Sequence, residues 1–200
     1  GRSLNGGAAV AAAKASALLT LLGSLAFHQA AVFCNHKARA EWLADTLTAA
    51  GFPAAYLSGD RPQTERMQAM ESVRGFKLRV IVSTDVMARG VDLERVNVVA
   101  NLDLPHEAAT YVHRVGRTGR FGSLGISVSY VTASELETLR GFVEAAQAGE
   151  LEPLPATIPH DLYAFEPLTD ADQGALELLK AAPRAALLPP PPPPPTTTTT

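Results

Sequence analysis

Gln29 to Ser58 reads QAAVFCNHKARAEWLADTLTAAGFPAAYLS, and its rhythm decides the fold. The apolar run Gln29–Cys34 has the length and residue types of a strand. Lys37–Ala50 then places Ala, Leu and Trp among charges at helical spacing, and Gly51 stops it where helices commonly end. A second apolar run, Pro53–Ser58, follows at once. Strand, helix and strand in this order form a crossover unit, which brings two strands together in parallel with a helix over one face.

Working outward, the same alternation continues. Strand-type runs fall at Leu78–Ser83, Val96–Asp103 and Gly125–Val131, with helical patterns at Gln63–Val73, Glu107–Val115 and Ser134–Ala146. A weaker helix at Ala13–Leu25 leads in, and the Ala-rich stretch Ala8–Ala17 carries no chemistry of its own. The expected class is α/β, an open parallel sheet with helices on both faces. We divide the chain into a lead-in helix (1–26), the α/β domain (27–150) and an extension with a low-complexity tail (151–200). The tail ends in homopolymeric proline and then threonine (Pro189–Thr200), a composition that cannot build a core and is expected to be extended or disordered.

With 46% apolar residues in 200, the chain can bury a substantial core. Lys14, Ser16, Thr20 and Gly23 interrupt the one long apolar run, Ala11–Phe27, so no membrane span and no membrane partner is expected. A lone cysteine, Cys34, forms no internal disulfide and no cysteine-cluster metal site, and it fits a reducing setting such as cytoplasm or nucleus. The net charge is −3, and between Ala26 and Glu150 there are 13 Lys and Arg against 14 Asp and Glu. Any contact with nucleic acid must therefore be a local site and not a basic coat.

Ligands of open parallel sheets sit beyond the carboxyl ends of the strands. Polar residues gather there repeatedly: Asn35 after the first strand, Ser58, Gly59 and Asp60 after the second, STDVMARGVD (Ser83–Asp92) after the third, Asp103 after the fourth. Ser83 and Thr84 offer groups that hold phosphate, and Gly90 allows close backbone approach. Asp92 could accept both hydroxyls of a ribose or simply cap a turn. Gln63 and Arg66, one helical turn apart, suit a nucleic-acid backbone or an exposed helix face. His113, between Val112 and Val115, reads by default as a packing histidine.

The segment Tyr111–Arg120, YVHRVGRTGR, repeats arginine every three residues at Arg114, Arg117 and Arg120. On a helix this spacing would line the three guanidinium groups along one face, with Gly116 and Gly119 leaving room for a polyphosphate.

Taken in order, VFCN, SGDRPQTER, STDVMARGVD and YVHRVGRTGR resemble the C-terminal RecA-like domain of the DEAD-box RNA helicases over about Phe27–Val131. His113 separates this group from relatives that carry Gln there. Within the family, FHQAAVFCN, RFGSLG and LEPLPATIP are similar to the helicases of the SMN complex, which assembles spliceosomal ribonucleoproteins.

The resemblance implies roles for matching residues. Arg117 and Arg120 would act as arginine fingers on the ATP phosphates, and Gly90 and Asp92 would meet the nucleotide. His113 and Arg114 would couple to an N-terminal RecA-like domain. Asn35, Gly59, Gln63, Arg66 and Thr84 would grip the RNA backbone without reading bases. ATP with Mg²⁺ is the implied cofactor. No G-x-x-x-x-G-K-[ST] loop and no D-E-A-D sequence occurs, so the Mg²⁺ ligands are expected in an N-terminal domain outside this chain, which would not hydrolyse ATP by itself. Because the chain begins with Gly1, a fragment of a longer helicase is the expectation, and a truncated RNA- or protein-binding adaptor without turnover is the alternative.

Overall fold

The computed structural model describes residues 4–59, 62–85, 95–118, 125–160 and 162, with side chains from residue 7 onward. Helix α1 (Leu4–Ser24) precedes β1 (Gln29–Phe33), α2 (Lys37–Ala49), β2 (Ala54–Leu57), α3 (Gln63–Arg74), β3 (Val80–Ser83) and β4 (Val96–Asn101). Then come α4 (Ala108–Val115), β5 (Ile126–Ser129), a 3₁₀ turn at Ala133–Glu135, and α5 (Leu136–Ala146). The strands form one sheet in the order β2-β3-β1-β4-β5, and every neighbouring pair is parallel. The strands and helices read between Ala13 and Ala146 are present within a residue or two at most ends, and a further short helix expected within residues 161–183 lies, Leu162 aside, outside the described residues.

Both faces of the sheet are covered, which is why its strands are continuously apolar instead of alternating. Ala30, Val32, Val80, Val82, Val98, Ala100 and Val128 face a core shared with α1 and α2. Their neighbours Ala31, Phe33, Ile81 and Val99 face the other way, onto Val73, Ala69 and Met70 of α3. Between β1 and β4 the register slips once: Gln29 pairs with Val96, but Ala30 pairs with Val98. The extra residue is Asn97, whose Oδ1 accepts the His28 N–H at 2.9 Å. This bulge turns Val96 and Val99 toward the same face.

At the amino edge of the sheet, buried Arg79 donates to the carbonyls of Phe27 and His28 and lies over the Phe27 ring. Gln29 Nε2 donates to the carbonyls of Val73 and Leu78. These polar groups close that edge by bonding backbone, as burial requires.

Helix α1 departs from expectation in two ways. It starts at Leu4, nine residues before the expected Ala13, because the Ala-rich stretch is helical too. By length and hydropathy, Gly7–Ser24 is also long and apolar enough to cross a membrane, although no such run was expected. Its apolar residues have a different explanation in this fold: Ala15, Leu18, Leu21 and Leu22 recur at core-facing helical spacing and are buried in the principal cluster. Past Glu150 the chain turns back. Ile158 and Leu162 pack against the principal cluster, and the Ala26 N–H donates to His160 O at 3.2 Å. The proline and threonine tract lies outside the described residues.

Candidate functional site

At the carboxyl ends of β1 and β4 the chain leaves the sheet in opposite directions, a topological switch point. Asp103, just beyond β4, is turned inward. Its carboxylate accepts the Asn35 N–H at 2.9 Å, pairs with Arg39 Nη1 at 2.9 and 3.1 Å, and meets the Cys34 thiol at 3.3 Å. Burial would raise its pKa, but the Asn35 N–H, Arg39, Cys34 and Lys14 outweigh it and hold the carboxyl below its ordinary range. Cys34 responds oppositely: burial and then the Asp103 charge push its thiol up to about 12. Both groups are therefore structural, a neutral thiol against a fixed carboxylate.

Arg114 occupies the centre of this edge, fully buried. Its Nε donates to Asp85 Oδ1 at 2.5 Å, Nη1 to Asp103 O at 2.6 Å and Asn101 Oδ1 at 3.3 Å, and Nη2 to Asn35 Oδ1 at 2.9 Å. The guanidinium carbon lies 5.0 Å from the Phe33 ring centroid. One side chain thus ties the ends of β1, β3 and β4 to α4. Both ends of the Asn35 amide are committed as well, since Nδ2 donates to Leu104 O at 2.8 Å.

This geometry corrects the picture of three aligned arginines. Helix α4 ends at Val115 with Gly116 as its cap, so Arg117 lies past the helix in the following turn. Arg114 points into the domain while Arg117 is only half-buried, its Nε donating to His113 O at 3.1 Å. A three-residue step on an eight-residue helix that stops between the first two arginines cannot put them on one face. Arg114 is fully enclosed within the domain. His113 is exposed, as is Val112, which replaces the expectation of a packing histidine.

Of the residues assigned to RNA, Gly59 is exposed in the turn after β2, Gln63 is exposed at the first turn of α3, and Arg66 is half-buried one turn later. Arg66 Nε is shielded and has no acceptor among the described residues. Thr84 follows β3 directly, and its carbonyl accepts the Ser83 hydroxyl. Asp60, Gly90, Asp92 and Arg120 lie outside the described residues. Sequence reasoning missed Asp85, Arg39 and Lys14. Asp85 could have been found, as a carboxylate beside Thr84 at a strand end. Lys14 and Arg39 act from helices far away in sequence and gave no local signal.

Beside the switch point, Lys14, Arg39, Asp103, Thr132, Ser134 and Glu135 line an open cleft of about 330 Å³. Among the described residues, no three His, Cys, Asp or Glu side chains stand together as metal ligands.

Layers and strand order together define a RecA-like domain. Residues 13–122 match the helicase conserved C-terminal domain, and the chain belongs to that family, as the C-terminal RecA-like domain of a DEAD-box RNA helicase. It is 44% identical over 124 residues to a probable ATP-dependent RNA helicase, ddx20, of Dictyostelium discoideum (62% of this chain, 15% of that one). To the Mus musculus protein of the same name it is 43% identical over 149 residues (74% and 18%). The chain thus spans under a fifth of either relative. The solved C-terminal domain of the DEAD-box protein Dbp5 superposes with a TM-score of 0.66 at 32% identity, covering 72% of this chain and 84% of that domain.

Proposed function

We infer that this chain is the C-terminal half of an ATP-dependent RNA helicase, contributing phosphate-directed arginines and an RNA backbone grip for strand separation or ribonucleoprotein remodelling. The observation that carries this reading is the Arg114 cluster. It fastens the ends of β1, β3 and β4 to α4, so Thr84, beside Asp85 at the end of β3, is held in one framework with the helix that leads into Arg117. A domain that must bring RNA and nucleotide groups together in one closure needs that rigidity. The relatives' names, which specify ATP-dependent RNA helicases, support the same activity.

In this reading Arg117, with Arg120, faces the ATP phosphates, and Gly90 and Asp92 meet the nucleotide. Exposed His113 takes the contact with an N-terminal RecA-like domain, while Arg114 acts from within. The donor set fits this division, because the basic groups are here and the Mg²⁺ carboxylates would come from the N-terminal domain. When bound, Mg²⁺ neutralises phosphate charge. An SMN-type ribonucleoprotein assembly complex is the proposed setting, in cytoplasm or nucleus, on the likeness of FHQAAVFCN and LEPLPATIP.

Fluorescence anisotropy with single-stranded RNA tests the grip. Affinity should fall steeply with salt, and Arg66→Ala should reduce the slope by about 0.7 for the one phosphate contact removed. An affinity indifferent to salt would remove the RNA assignment.

A further inference from the structure

Lys14 is the only charged residue in the 21 residues of α1. Its ammonium donates to Leu102 O at 2.7 Å and stands 3.6 Å from Glu135 Oε2, with 12% of the side chain exposed. Leu102 belongs to the segment 101–104, and each residue of that segment is bonded to something. Asn101 and the Asp103 carbonyl receive Arg114; the Asp103 carboxylate receives Asn35 N–H and Arg39; the Leu104 carbonyl receives Asn35 Nδ2. Glu135 in turn closes the capping box with Thr132 that starts the 3₁₀ turn leading into α5. Lys14 is therefore where α1, the strand-end segment and the α5 entry meet.

We propose that Lys14 is a positioning residue, which by fixing α1 to segment 101–104 sets the Arg114 cluster and, through it, the RNA face. The apolar side of α1 packs the helix against the sheet, but apolar burial is non-directional and does not by itself single out one axial register. A directional bond from an ammonium to one carbonyl supplies that register. Without it, Leu102 O loses its partner next to Asp103, whose own carbonyl holds Arg114. The inference rests on reading the carboxyl edge as the RNA face.

The test compares Lys14→Met, which keeps the packing of the stem, with Lys14→Arg, which keeps the donor, in the 200-residue chain. Hydrogen exchange at Arg114 Nε–H, followed by NMR, reads the cluster directly; a single-stranded RNA oligonucleotide reads the face. Lys14→Met should speed that exchange about ten-fold and weaken RNA binding several-fold, and Lys14→Arg should restore both. Unchanged Arg114 exchange in Lys14→Met would overturn the proposal, as would failure of Lys14→Arg to restore it. If exchange responds and Arg66→Ala leaves RNA affinity untouched, the linkage through Lys14 stands and the RNA reading of the edge falls.

Discussion

Arg114 Nε lies 2.5 Å from Asp85 Oδ1, joining α4 to the end of β3 through a guanidinium with no solvent exposure. A buried cation persists only where its donors meet acceptors, and this one has Asp85, Asn101, Asp103 O and Asn35. Removing the arginine would leave Asp85 and three strand-end oxygens without it. Arg114→Ala should therefore destabilise the domain by about 3–5 kcal/mol in urea unfolding. Arg117→Ala, at a half-buried turn position, should stay within about 0.5 kcal/mol of wild type. Equal stability of the two variants would contradict this division between an internal fastener and an outward-facing group.

The contrast shows where the sequence was legible. Strands and helices were readable because each apolar run has the right length and is bounded by Gly or polar residues, as Gln29–Ser58 shows. The strand-end residues were readable from the general placement of ligands on parallel sheets. What a period of three could not reveal was where α4 stops. Gly116 ends it between Arg114 and Arg117, and the two side chains part company. Nor does spacing disclose that Asp85 and Asn35 are the partners of Arg114, since they come from strands 29 and 79 residues away. The length of α1 was missed because alanine and glycine carry almost no amphipathic pattern.

Acid should find Asp103. The Asn35 N–H, Arg39, Cys34 and Lys14 outweigh the effect of burial and hold its pKa below the ordinary 3.8. The folded value lies below the unfolded one, so the stabilisation is full above about pH 4 and is lost as pH falls below that. Asp103→Asn should flatten the acid limb of a urea-midpoint profile taken from about pH 6 to pH 2.5. Parallel limbs in the two proteins would show that Asp103 contributes nothing to it.

Cys34 should be inert in the folded chain. With its thiol pushed up to about 12 by burial and by Asp103, almost no thiolate forms near neutrality, and the thiolate is the reactive species. Iodoacetamide at about pH 8 should modify it only as fast as the domain opens, and rapidly in urea. Fast stoichiometric labelling of the native chain would contradict the burial and the contact with Asp103.

Helix α1 should behave as core. Leu18 is fully buried in the principal cluster, so Leu18→Ala should destabilise the chain by about 2–5 kcal/mol, whereas Val10→Ala, on the exposed side, should change little. Calorimetric or urea unfolding of both variants decides it. A neutral Leu18→Ala would mean that α1 is attached to the domain without supporting it.

The central claim is that this chain supplies phosphate-directed arginines to a nucleotide loaded by another domain. The direct measurement joins the chain to a phosphate-loop domain of the family and compares RNA-stimulated ATP turnover in wild type and Arg117→Ala. An arginine of this kind contributes about 10³ to 10⁵ in rate, or roughly 4–7 kcal/mol of transition-state stabilisation. The account predicts that turnover nearly vanishes in Arg117→Ala while stability is kept. Wild-type turnover in that variant would contradict it.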